Sequence, residues 1–405
     1  PKRLFVISAG NIPAELEMAR LIDPDNAPIE DPAQAWNALT VGGYTEKNII
    51  GEEGYEDWQP LAQAGDLSPF SRTSVTWPQG RSPFKPDIVM EAGNRAKNPA
   101  ETQAVNLDSL SLLTTGEQVA RHPLRPFAAT SAAAAQAARL CASVNAAYPE
   151  FWPETIRALM VHSAEWTPSM LAELNNAKNL TERYPLLRKF GHGVPNLERA
   201  LASADNHLAL FAQNTINPFS VRDGQKRFGD SHYYRLPWPR ELLEELGERD
   251  VHLKITLSYF VEPNPGRFAS IDPQRYQSFG LRFDLKRRTE SEGDFLERTN
   301  ALNRDDPEAP GPGGGDNQGW MFGPNSISSG SLHCDEWKGP AVQLASRSMI
   351  CIKPVTGWWK DSARNCRRSS RYALVATLSA PGIEIDLHTP ISAIVNNQIL
   401  VDIEF

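Results

Sequence analysis

The chain has 405 residues, 40% of them hydrophobic, which is enough to bury two cores, so two domains are the starting expectation. Its 41 Lys and Arg against 49 Asp and Glu leave a net charge of -8, which argues against a nucleic-acid partner because phosphate binding wants a basic excess. No apolar run approaches the roughly 20 residues of a membrane-spanning helix, and the opening residues lack the shape of a signal peptide. Cys141, Cys334, Cys351 and Cys366 show neither zinc-site spacing nor the density of a disulfide scaffold, so they read as free thiols in a reducing, cytoplasmic setting with no metal or other cofactor.

The chain opens directly on "PKRLFVI", apolar without interruption from Leu4 to Ile7 as buried parallel strands are, and reads as a central strand cut from a larger protein. From there to about residue 205 the pattern is α/β. Predicted strands are 3–9 ("RLFVISA"), 38–44 ("ALTVGGY") and 87–92 ("DIVMEA"), and predicted helices are 13–21, 131–148, 153–163 and 196–204. Residues 46–84, polar and rich in Gly and Pro, read as a long surface loop rather than core.

From residue 206 the character changes to short β-prone runs, "HYYRLPWP", "DVHLKITLSYFV", "FGLRFDLKR", "MICIKPVTGWW", "RYALVATLSA" and "EIDLHTPISAIV". They predict an all-β, sandwich-like second domain over 206–405, interrupted by one helix at 239–249 and a low-complexity insert at 303–319. The pairs Asp305–Asp306 and Glu52–Glu53 read as solvated charge, and the basic run at 363–371 as a solvated face or a partner surface.

Chemistry is concentrated at two places. "ATSAAAAQAAR" puts Ser131 at the start of an alanine-rich helix, where its own N–H has no helical acceptor and the positive helix end lies beside it. Such a serine can act as nucleophile and oxyanion donor together, and the small side chains after it let the helix enter the domain centre. "SAGN" puts Asn11 on a tight turn after the first strand, where its side-chain amide can serve as a second donor. Alone, Ser131 would be an N-cap and Asn11 an ordinary turn residue.

The order "VISAGN", "LTVGG", "SPFSRTS", "KPDIVMEAG", "ATSAAAAQAARL", "FGHGVPNLERAL" resembles the second half of the subtilisin-like serine peptidases, the subtilases, over about 1–205. The resemblance implies an α/β parallel-sheet peptidase domain, incomplete at its N-terminus. It assigns Asn11 to the oxyanion hole and Ser131 as the nucleophile that carries the acyl intermediate on a protein or peptide substrate. Lys85–Ile88 resembles the family's Lys-Pro-Asp-Ile segment, and Gly191 with Gly193 its glycine pair. The β region is similar to that of bacterial, intracellular subtilases accompanied by an AAA-type ATPase, which would then be the partner.

Three departures stand out. Ala129 replaces the family's glycine two residues before the serine, Ala135 replaces its proline, and the Asp-x-Gly and His-Gly-Thr settings of the family's Asp and His are absent. Neither His122 nor His192 sits in such a setting, so the base is expected from upstream sequence or another chain. The alternative reading is an inactive pseudo-peptidase or protein-binding module.

Overall fold

The computed structural model describes residues 3–12, 25, 27–78, 82–201, 207–236, 238–266, 276–303, 319–323, 326 and 329–380. The chain divides into two compact units, one of Pro1–Gln79 with Pro83–Ala200, the other of Leu201–Phe405 with Gly80–Ser82.

The first unit is built on three parallel strands, β1 (Val6–Ser8), β2 (Leu39–Thr45) and β3 (Ile88–Glu91), with β2 in the middle. Six of the seven β2 residues are buried, as expected of a strand covered on both faces. The predicted strands lie where expected: the first and third are trimmed at both ends, and the second is shifted by one residue toward the C-terminus. Helix α1 (Thr130–Ala147) packs across all three strands. Its first turns can approach closely because Ala132, Ala133 and Ala137 are buried there, with Leu140, Cys141 and Val144 following on the same face.

Helix α2 (Pro153–His162) opens on a proline whose missing N–H costs nothing at that position, and packs on α1. Helices α3 (Pro168–Asn176) and α4 (Leu180–Phe190) were not foreseen, although both carry start signals. Thr167 accepts from the Met170 N–H ahead of Pro168, and Asn179 accepts from the Glu182 N–H in an Asn-x-x-Glu box. Pro185 inside α4 argued against a helix, and packing of Leu187 and Phe190 overrides it. The closing helix α5 is Leu197–Leu201; the predicted helix at 13–21 lies outside the described residues.

The expectation that 46–84 is a surface loop is wrong for its second half. Ser68, Phe70, Ser71, Thr73 and Ser74 are buried. Their hydroxyls are consumed inside the fold. Ser71 Oγ accepts from the Gly43 N–H at 2.9 Å, Ser68 Oγ donates to Gly93 O at 2.6 Å, and Ser74 Oγ donates to Lys85 O at 2.5 Å. A serine-rich run looks solvent-facing in sequence, but buried hydroxyls with partners are cheap. Glu52 is likewise no free charge: its carboxylate accepts from Ser109 N at 2.7 Å and Ser109 Oγ at 2.6 Å.

In the second unit, β6 (His207–Ile216), β12 (Ser370–Ser379), β8 (Asp250–Tyr259) and β10 (Leu332–Pro340) form an antiparallel sheet in that order. A second antiparallel sheet has β11 (Met349–Val355) between β7 (His232–Arg235) and β9 (Gly280–Leu285). The unit is not all-β. It also carries α6 (Arg240–Leu246), α7 (Glu292–Asn303) and α8 (Ala341–Ala345). Helix α7 starts from a Ser291/Asp294 box in which each side chain accepts from the other's N–H, a signal present in the sequence. The last expected strand, "EIDLHTPISAIV", and the Asp305–Asp306 pair lie outside the described residues. All four cysteines are buried free thiols.

Candidate active site

The parallel strands deliver their C-terminal ends to one place, as open α/β sheets do. After β1 the chain turns at Gly10, whose φ of +95° suits glycine, and presents Asn11. After β3, Ala92 O accepts the Ala129 N–H at 2.6 Å, which brings the start of α1 alongside. Ser131 is exposed in the first turn of that helix, and no described residue hydrogen-bonds its side chain.

The two residues singled out in the sequence are brought together by a third that was not. Asn11 Oδ1 accepts from Thr130 N at 2.9 Å and from Thr130 Oγ1 at 2.6 Å, and Thr130 Oγ1 also lies 3.2 Å from Gly10 O. Both bonds fall on the carbonyl end of the Asn11 amide. The amide orientation is thereby set, with Nδ2 as the end left to donate. The residue that holds it, Thr130, directly precedes Ser131, whose own N–H lies in the first turn of α1, where backbone donors have no helical acceptor. Thr130 was legible only as the residue before the serine.

Ala129 has φ 77° and ψ 176°, a conformation that belongs to glycine. The departure from glycine noticed in the sequence therefore falls where the backbone needs glycine most.

The ends of β3 are fixed from below and above. Below, buried Lys85 Nζ lies 2.6 Å from Asp87 Oδ2 and 3.0 Å from Ala38 O, and Asp87 Oδ2 also accepts from Thr40 N at 2.7 Å. Burial pushes the Lys85 amine down, with Asp87 acting the other way. Above, the Glu91 carboxylate accepts from Gly93 N at 2.7 Å and Glu46 N at 2.6 Å, and Gln136 of α1 donates to Glu91 O at 2.7 Å.

The two histidines weighed from the sequence, His122 and His192, lie elsewhere. His122 is exposed at the far end of the ribbon of β4 (Leu112–Thr115) and β5 (Leu124–Phe127), beyond four residue pairs that span about 10 Å from the Phe127 end. His192 donates its N–H to Asp87 O at 2.9 Å, at the start of β3 and thus at the opposite end of the sheet from Ser131. Gly191 beside it has φ +56°, and a Cβ there would lie 2.5 Å from Asp87 O. Gly193, with φ +96°, is required by a second close passage, since a Cβ there would lie 2.2 Å from Glu165 O. His162 ends α2. Among the described residues no cluster of three or more His, Cys, Asp or Glu could hold a metal ion, and no helix is long and apolar enough to cross a membrane.

No curated protein matches the chain. Among solved structures the chain is similar to MycP1 from the ESX-1 type VII secretion system, 21% identical over 50% of this chain and 43% of that one, with a TM-score of 0.25. It is similar to MycP1 with the N-terminal propeptide removed, at 19% identity over 50% of this chain and 52% of that one, TM-score 0.27. MycP1 from Mycobacterium smegmatis matches at 20% identity over 49% and 42%, TM-score 0.24. The chain thus spans about half the length of those proteins, or less. Residues 1–193, the bulk of the first unit and all of the geometry above, match the model of the Subtilase family.

Proposed function

We propose that the first unit carries the nucleophile and oxyanion half of a serine endopeptidase site, in which Ser131 attacks the scissile carbonyl and forms an acyl-enzyme. The observation that supports this best is the Asn11 amide, held at its oxygen by two Thr130 donors so that Nδ2 is the end left to donate, with exposed Ser131 the next residue after Thr130. A pre-aimed donor costs no reorganisation when the oxyanion develops, which is where such sites gain most of their rate. On this reading the general base and its orienting carboxylate come from sequence upstream of these residues or from another chain, since neither His122 nor His192 lies beside Ser131.

The test is labelling with a fluorophosphonate, which needs a base-activated serine. The 405-residue chain alone should stay unlabelled. The protein with its upstream region should label, and the adduct should map to the peptide containing "ATSAAAAQAAR" and vanish in Ser131→Ala. Labelling at another serine removes Ser131 from the role. No labelling in the longer protein favours the second reading, an inactive pseudo-peptidase that binds proteins, for which the strained Ala129 speaks.

A further inference from the structure

The second unit carries a patch of charge opposite in sign to that of the chain as a whole. In the antiparallel hairpin of Phe219–Arg222 and Gln225–Phe228 and the segment 358–368, seven residues are Lys or Arg and two are Asp, in a chain of net charge -8. The segment forms two short helical turns, Trp358–Asp361 and Asn365–Arg367, which pack on the hairpin and on each other. Strand alternation puts Lys226 and Phe228 on one side of the hairpin and Arg222 and Arg227 on the other.

The side of Lys226 is the one that meets the turns. Lys226 Nζ donates to Asp361 O at 2.7 Å, and Lys360 Nζ sits 3.8 Å from the centre of the Phe228 ring. Burial pushes the Cys366 thiol up while the charges of Lys226 and Lys360 both act the other way, so both ammoniums stand near it. Arg367 follows Cys366 directly and Arg364 opens the same turn; both are exposed. Lys226, Arg364 and Arg367 form no ion pair with a described residue, and Asp361 is the one carboxylate of the segment. Like charges gathered in this way repel, and exposure to water weakens the repulsion without removing it at low salt.

Arg368 shows which anion the patch accepts. Its guanidinium lies 4.2 Å from the centre of the Trp359 ring and pairs with Glu262 Oε2 at 2.5 Å, and the same oxygen accepts from Trp359 Nε1 at 2.9 Å. A carboxylate is thus held between a cation and an indole N–H. A nucleic acid fits less well, because its backbone would run off the patch onto a surface that carries the chain's acidic excess.

We propose that the side of the second unit formed by Lys226, Lys360, Arg364, Arg367 and Arg368 docks an extended segment of a partner protein rich in Asp and Glu. The surface lies wholly within the second unit and does not depend on the peptidase reading of the first.

The test uses the 405-residue chain and a fluorescein-labelled peptide of about eight alternating Asp and Glu residues, roughly 26 Å when extended, followed by fluorescence anisotropy. Binding should saturate at about 50 mM salt and weaken roughly tenfold or more at about 300 mM, and the matching Asn/Gln peptide should not bind. Lys226→Glu combined with Arg367→Glu should weaken the acidic peptide roughly tenfold or more. Arg222→Glu combined with Arg227→Glu, the same change of charge on the opposite side of the hairpin, should weaken it less than about threefold. Thermal unfolding shows that each variant is folded, and Arg364→Glu with Arg367→Glu serves if Lys226→Glu is not. Absence of saturable binding, or equal losses from the two sides of the hairpin, overturns the proposal. Tighter binding of an oligothymidylate of the same length, or of phosphatidylserine vesicles, through the same cations overturns the choice of a protein segment.

Discussion

At the scale of single residues, Ala129 is the clearest conflict between sequence and backbone. With φ 77° and ψ 176° it occupies a region nearly reserved for glycine, at a cost of about 1–3 kcal/mol. The conformation persists because both sides of the residue are tied: its N–H bonds Ala92 O, and its carbonyl receives the Ala132 N–H at 3.0 Å. Ala129→Gly should therefore raise stability by about 1 kcal/mol after the added freedom of the unfolded chain is subtracted. Thermal unfolding should show a midpoint about 2–4 °C higher. An unchanged or lower midpoint would mean that the site accommodates alanine without strain. Asn11 and Ser131 were legible because six short stretches occur in one order. Arg72 and Arg95, which donate to Asn11 O at 3.0 Å and to Ile12 O at 2.9 Å, were not, because an arginine among polar turn residues looks solvated, and nothing in a sequence shows which turn carbonyls will need a donor.

At the scale of elements, the segment from Lys85 to Gly93 does more than supply a strand. Its Lys85–Asp87 pair is almost wholly buried, with side-chain exposures of 2% and 5%, and joins the base of β3 to Ala38 and Thr40 at the start of β2. Removing one partner of such a pair leaves the other charge buried, so Lys85→Met should cost about 3–5 kcal/mol. Denaturant unfolding of the first unit measures this; a loss under about 1 kcal/mol would show that Asp87 is satisfied by Thr40 alone. The polar run before it, Ser68 to Ser74, was misjudged for a related reason. Composition reports how much a segment could interact with water, not whether the fold offers its hydroxyls better partners.

At the scale of the whole molecule, the second unit contains a pH-sensitive group. Asp335 of β10 accepts from Phe322 N at 3.0 Å, Gly323 N at 2.7 Å and Glu336 N at 2.9 Å, and so holds residues 322–323 to the sheet. Burial nevertheless pushes its carboxyl up to about 7 from 3.8, the hydrogen bonds acting the other way. Between those two values the folded state keeps a proton that the unfolded chain has released, so this group makes stability fall as pH rises from about 4 to about 7. Outside that window it contributes no slope. Asp335→Asn should remove the fall, so the stability difference between variant and parent should drift in the variant's favour across the window. A difference that stays flat from pH 4 to pH 7 would place the carboxyl at its ordinary value.

The sequence by itself determined the three parallel strands of the first unit, the alanine-faced helix over them, and the places of Asn11 on the turn after β1 and of Ser131 at the helix start, because these rest on local signals: apolar runs, turn glycines and a helix start with small side chains. It also carried the start signals of the helices missed in both units, which a proline or a neighbouring β-prone run obscured. Only the tertiary structure decided that Thr130 orients Asn11, that Arg72 and Arg95 hold the turn carbonyls, and that a serine-rich stretch is core. Those are contacts across 61, 83 and 119 residues of chain, and their existence depends on which backbone groups the fold leaves without a partner. That list of unmet donors and acceptors is written only once the sheet and helices have closed on one another.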